Sequence, residues 1–133
     1  MFLANLSDRK QESFLNLAYT MIYADGRLDA AEQKLFDSYK LEIEHADLSK
    51  AHTVDFNEEL AAFDDSSVAE KNGIFFELYA IALIDEAYPD EEKVLVDTMQ
   101  KRFGITDAKM QEMRDGLKAL TDAYANLAKI VES

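Results

Sequence analysis

The chain has 133 residues and no cysteine, so it suits one domain over 1–133 with neither disulfides nor thiolate metal ligands. Its net charge of −13 would repel nucleic-acid phosphates and anionic membrane surfaces, and it favours cations or basic protein surfaces as partners. The N-terminal residues lack the basic and long apolar parts of a signal peptide, and no apolar run is long enough to cross a bilayer. We therefore expect a cytoplasmic protein.

Apolar residues recur at helical spacing along nearly the whole chain, while the glycine and proline that a β protein needs for its turns are scarce. The first helix is predicted at about 7–24, with Ser7 as its N-cap. Gly26 follows and can adopt a positive φ. A second helix begins near Asp29, and Glu32 three residues later completes the pattern of a capping box.

The rest of the chain predicts four more helices. The fourth of the chain is apolar nearly all round, which places it in the middle of a bundle. The only proline suits the first turn of the fifth helix. After a connection at 45–53, these four helices are predicted at about 54–63, 67–86, 89–103 and from 106 onward.

Apolar residues in the last helix are spaced alternately three and four positions apart, which forms a heptad seam. Packing of this seam inside the bundle is the interpretation that we favour. Three heptads are also enough for a partner helix or a homodimer. The seam consists of Met110, Met113, Leu117, Leu120, Tyr124, Leu127 and Val131.

The sequence contains an internal repeat with an offset of sixty residues. The first helix pair lies on the fourth and fifth helices without a gap, so that 14–43 and 74–103 form two copies. Two copies are too few for a solenoid. We therefore predict an all-α bundle of about six helices in which two hairpins face each other across one core. Identical residues meet at Tyr19 and Tyr79, Asp25 and Asp85, Glu32 and Glu92, Leu35 and Leu95, and Asp37 and Asp97.

The segment 23–32, YADGRLDAAE, resembles the signature of the tellurite-resistance TerB family and its TerB-like relatives. Their pattern is an apolar helix, an Ala-Asp-Gly turn and a Glu seven residues after the Asp, carried twice in an all-helical domain. The resemblance covers about 14–103, and the second copy departs from it because no glycine follows Asp85. It implies an acidic module linked to metal stress and membrane-associated assemblies, with cation binding at Asp25 and Glu32, and more weakly at Asp85 and Glu92, and with no catalytic residues.

The acidic turns are the strongest candidate site, because carboxylates can bind a hard divalent cation such as Ca²⁺ or Mg²⁺. They do not form an EF-hand, since Arg27 and Phe36 occupy two of its ligand positions. The alternative is that these acids cap and stabilise helix N-termini, and we favour it because it needs no ligand. The candidate metal ligands are Asp25, Asp29, Glu32, Asp85, Asp90 and Glu92.

A second candidate site lies around the two histidines. Glu42 and His45 have the Glu-x-x-His spacing of di-iron bundles. The second such motif is missing, because Ser49 stands three residues before His52. We interpret the histidines as a surface or loop pair.

Two further acidic features have alternative interpretations. Glu77 lies in the most apolar helix, where it could act as an acid or base. We favour the alternative that it occupies a rim position or accepts a hydrogen bond from Tyr19 or Tyr79. The acidic stretch at 41–70 is typical of a solvated face, and it could also dock a basic partner.

The sequence contains no nucleophile motif, Walker loop or dinucleotide fingerprint. We therefore predict a non-enzymatic, acidic binding module whose partner is a protein with a basic or apolar surface, with weak binding of a divalent cation. The alternatives are a metal-dependent enzyme that uses the acidic turns, and a homo-oligomer assembled through the last helix.

Overall fold

The structure, a computed structural model, describes residues 1–24, 26, 30–84 and 90–133. Within these ranges six helices pack into a compact bundle and no residue lies in a strand, so the predicted all-α bundle is confirmed. Short 3₁₀ helices cover Tyr39–Leu41, Leu48–Lys50 and Ala61–Phe63. The α-helices are α1 (Asp8–Ile22), α2 (Ala30–Ser38), α3 (Phe56–Leu60), α4 (Val68–Ile84), α5 (Asp90–Phe103) and α6 (Asp107–Glu132).

Short polar side chains begin the helices by accepting hydrogen bonds from otherwise free backbone N–H groups. Ser7 Oγ accepts from the N–H of Lys10 at 3.4 Å, which confirms Ser7 as the N-cap of α1. Ser67 Oγ caps α4 through the N–H of Glu70 at 3.1 Å. Thr106 caps α6 in the same way. These caps fix where the long helices begin.

Helix α3 is shorter than the sequence predicts. Asp55 caps it, and after Leu60 the chain tightens into a 3₁₀ turn instead of continuing as α-helix. The guanidinium of Arg102 on α5 donates to both carboxylate oxygens of Asp64, at 2.9 and 2.7 Å, and to the backbone oxygen of Asn57 at 3.2 Å. This bidentate contact joins α3 and the turn after it to α5.

Helix α4 lies at the centre of the bundle, as its apolar composition predicts. Ile74, Phe75, Leu78 and Ile81 are fully buried, and α4 contacts α1, α2 and α5. No helix in the described ranges is both long and apolar enough to span a membrane.

Several features of the described residues recur at an offset of sixty. Helices α1 and α4 begin at residues 8 and 68. Lys10 and Glu70, sixty residues apart, contact each other directly, because Lys10 Nζ donates to Glu70 Oε1 at 2.7 Å. Buried residues recur at the same offset in Phe14 and Ile74, Ala18 and Leu78, Met21 and Ile81, Glu32 and Glu92, Phe36 and Val96, and Tyr39 and Met99.

Candidate functional site

Half of the predicted cation ligands fall within the described residues. Glu32 and Glu92 are only 2% and 0% exposed, and they lie in the first turns of α2 and α5. Neither carboxylate is free of interactions. Asp90 is exposed and lies 3.7 Å from Lys93 Nζ. The remaining predicted ligands, Asp25, Asp29 and Asp85, lie outside the described residues.

The burial of Glu32 and Glu92 is unusual for residues that only cap a helix. A capping carboxylate on the surface keeps much of its hydration, whereas a buried one needs hydrogen bonds or a cation to compensate for lost water. In the part of the chain that the structure describes, no group of three or more His, Asp or Glu side chains is arranged to hold a metal ion. The six-residue cation site therefore stays a prediction.

The two histidines do not form a site with Glu42. The Glu42 carboxylate instead binds the Met1 ammonium and accepts a hydrogen bond from the N–H of Leu3 at 3.1 Å. His45 is exposed, and its Nδ1 is 3.9 Å from Asp8 Oδ1. His52 is exposed as well, with its Nδ1 3.1 Å from the carbonyl oxygen of Lys50. The interpretation as surface and loop histidines agrees with this geometry.

Glu77 is buried, and its partner is the start of the chain. Glu77 Oε1 accepts hydrogen bonds from the Met1 ammonium at 2.6 Å and from the N–H of Phe2 at 3.0 Å. The expected hydrogen bond from Tyr19 or Tyr79 is wrong, because the hydrogen bonds that Glu77 accepts within the described residues come from the start of the chain. The hydroxyl of Tyr79 accepts from Arg114. Glu42 and Glu77 together hold the N-terminal segment against α4.

Much of the acidic stretch at 41–70 is used inside the fold. Hydrogen bonds from Ser49 lower the pKa of Asp47, and those from Arg102 lower the pKa of Asp64. Hydrogen bonds from Lys10 and Ser66 lower the pKa of Glu70. These acids cap turns and pair with cations, so they are stabilised as carboxylates by local contacts. The stretch acts largely as a structural and solvated surface.

Helix α6 contacts the bundle only through its first half, among the described residues. Met110 is buried, and Met113 and Leu117 are half-buried. Arg114 Nη1 donates to the hydroxyl of Tyr79 on α4 at 2.6 Å. These contacts join the first half of α6 to the bundle.

Beyond Leu117 the heptad seam of α6 is exposed. Tyr124 is 75% and Val131 is 82% exposed, and Leu120 and Leu127 are also on the surface. The predicted packing of the whole seam inside the bundle is therefore wrong. The sequence showed the heptad period but not its partner, because the same period describes packing within a chain and between chains.

An apolar groove of about 500 Å³ lies beside the first half of α6. Met113, Leu117 and Leu120 form one wall, and Phe2 and Phe76 are on the opposite wall. The ring of Phe2 packs edge-on against that of Phe76, with 5.7 Å between centroids. Sequence reasoning missed Phe2 and Phe76, and the signal for them was the apolar start of the chain. The groove and the exposed seam form one continuous apolar surface.

Comparison of the chain with models of protein families, with curated proteins and with solved structures finds no match. The resemblance of 23–32 to the TerB signature therefore stays a prediction from sequence. The proposed function therefore depends on the contacts and exposed surfaces described above.

Proposed function

We propose that the chain is a cytoplasmic, non-enzymatic, acidic interaction module that binds another protein through α6. The observation that supports this function is the seam of α6. Its apolar heptad spacing continues for two more heptads after the helix leaves the bundle. Exposed apolar surface of this extent is costly in water, and its regular spacing fits a helical partner.

The partner in this proposal has an apolar strip for the seam and a basic or neutral surface around it. Tyr124 is the anchor, because it is a large, largely exposed aromatic side chain in the middle of the exposed seam. An acidic partner surface close to the bundle would be repelled by the net charge of −13.

We also propose that the bundle is a TerB-like duplicated hairpin with a pseudo-two-fold axis between its halves. The starts of α1 and α4 at residues 8 and 68 and the buried residues that recur at an offset of sixty support this. The contact of Lys10 with Glu70 supports it further, since equivalent residues meet only close to such an axis.

Weak binding of Ca²⁺ or Mg²⁺ at the acidic turns is the second part of the proposed function. The burial of Glu32 and Glu92 at equivalent places supports it, because hard cations prefer carboxylate oxygens. Calorimetric titration with each cation should give heat that is lost in the Glu32→Gln, Glu92→Gln double variant. The absence of heat with the unchanged protein at millimolar cation would contradict this part.

Affinity capture from the native lysate tests the binding function. The unchanged chain should retain a protein that the Tyr124→Lys variant loses by tenfold or more, because a charge in the seam opposes burial. Ala125→Lys is the matched control, since it adds the same charge to an exposed position outside the seam. Repeating the capture with a chelator shows whether a divalent cation contributes to binding. Equal capture by both variants would rule out the seam as the binding surface.

A further inference from the structure

The spacing of the exposed seam allows it to pack against a second copy of the same seam. Between Met113 and Val131 it has six positions, alternately four and three residues apart. An antiparallel copy of α6 centred on position 122 brings Met113 opposite Val131, Leu117 opposite Leu127 and Leu120 opposite Tyr124. Every seam residue from Met113 onward then has an apolar partner in the other copy.

The residues beside the seam allow two such helices to come close. The positions that flank the seam from 116 to 128 are small and uncharged, namely Gly116, Thr121, Ala123 and Ala128, while Arg114 and Ile130 flank its two ends. The same antiparallel alignment places Gly116 opposite Ala128 and Thr121 opposite Ala123. Charged residues usually occupy such positions and select the partner of a coiled coil, so their absence at these four central positions removes an obstacle to self-pairing. The same alignment places Arg114, which is bonded to Tyr79, opposite Ile130.

The charge of α6 also permits pairing with a copy of itself. Residues 117–132 carry two cations and two anions, whereas the whole chain has a net charge of −13. Lys118 and Asp122 neutralise each other within the helix at 2.7 Å. The second half of α6 is therefore a neutral surface in an acidic protein.

The acidic bundles favour the antiparallel orientation over the parallel one. Parallel helices would place both bundles side by side, where their like charges repel. Antiparallel helices put the bundles at opposite ends of a paired segment roughly 27 Å long, which exceeds the screening distance of about 8 Å at physiological salt.

The apolar groove completes the contact. Met113, Leu117 and Leu120 form one wall of the groove and also the first half of the seam. In the antiparallel pair, the C-terminal half of α6 from the other copy would pack against them. Phe2 is 56% exposed at the opposite wall and would be covered at the same time. The paired seams would bury on the order of 500 Å² on each copy, which reaches the lower limit of specific interfaces.

From these observations we propose that a second copy of this chain packs antiparallel along α6, with the seam from Met113 to Val131 as the interface. The proposed dimer rests on the proposed function of α6 as an interaction surface, and it identifies the partner as a second copy of the chain. The size of the interface predicts a dissociation constant on the order of 1–100 µM.

Sedimentation equilibrium of the full chain tests the dimer. The mass should rise from 15.1 kDa toward twice that value as the concentration increases from about 1 to about 500 µM. Tyr124→Lys and Leu120→Glu should each weaken the dimer tenfold or more, and Ala125→Lys should leave it unchanged. Circular dichroism of every variant confirms that the helices remain.

The double variant Leu120→Glu, Tyr124→Lys tests the orientation. In the antiparallel pair the new carboxylate of one copy faces the new ammonium of the other, so that association should return at least threefold relative to either single variant. In a parallel pair like charges would face each other, so a double variant that remains monomeric would overturn the proposed arrangement.

The outcomes separate this inference from the proposed function. If the unchanged chain stays at 15.1 kDa while lysate capture still depends on Tyr124, the second copy is wrong and the interaction module stands. If neither association nor capture depends on Tyr124, both proposals are overturned.

Discussion

At the scale of single residues, Tyr39 is a buried side chain whose hydroxyl has no hydrogen-bond partner within the described structure. Burial, with the charges of Glu77 and Glu42, raises the pKa of Tyr39, so its hydroxyl stays protonated. A buried donor without an acceptor costs stability. Its ring still packs edge-on against Phe14, with 5.0 Å between centroids.

The Tyr39→Phe variant should therefore be as stable as the unchanged protein, or more stable by up to about 1 kcal/mol. Tyr79→Phe is the matched control, because Tyr79 is an equally buried residue whose hydroxyl accepts a hydrogen bond from Arg114. The control should lose about 1–2 kcal/mol. Urea unfolding of both variants measures the difference, and a clear loss in Tyr39→Phe would show that its hydroxyl is bonded in solution.

At the scale of elements, the N-terminal segment is held against α4 by an ion cluster. Burial lowers the pKa of the Met1 ammonium, but its hydrogen bonds to Glu42 and Glu77 outweigh this and raise the pKa above its ordinary value of 8.0. Because the pKa is higher in the folded state, the ammonium stabilises the fold fully below its unfolded-state pKa. This stabilisation disappears as the pH rises through the folded-state pKa.

The melting temperature should thus fall by roughly 2–4 °C between about pH 7.5 and about pH 9.5. The Glu77→Gln variant still accepts from the N–H of Phe2 but has lost the charge, so its fall should be smaller. Lys10 and Tyr23 both have raised pKa values and titrate above this range. An identical fall in both proteins would assign the effect to another group.

The elements themselves were largely predictable, since apolar spacing and polar caps are local signals. Ser7, Gly26 and Gly104 mark helix ends as expected, the glycines with φ of 75° and 68°. The start of α6 at Asp107 after Thr106 was predicted as well. The contacts of Glu77 and the exposure of Tyr124 were not, because both depend on which segments meet in space.

The candidate site was predictable to a smaller degree. The pattern of acids identified Glu32 and Glu92 as equivalent positions, yet it gave no indication that both are buried. It also suggested a site at Glu42 and His45, where the carboxylate is instead taken by the Met1 ammonium. Spacing along one helix shows which residues share a face, but not what packs against it.

At the scale of the whole molecule, charge and apolar surface are separated. Acidic side chains cover much of the described bundle, whereas the second half of α6 is neutral and apolar. Such a separation would favour the proposed association through α6, because like charges repel between acidic surfaces.

The contact of Lys10 with Glu70 bears on how the chain arose. Under the proposed duplication, an ancestral pair of identical hairpins would have brought this position against its own copy, as lysine against lysine or glutamate against glutamate. Opposite charges became available there only after the two halves were joined in one gene and free to change independently. The ion pair at 2.7 Å would then be a trace of evolution after fusion, and it would disfavour the exchange of either half for a duplicate of the other, since like charges would meet there.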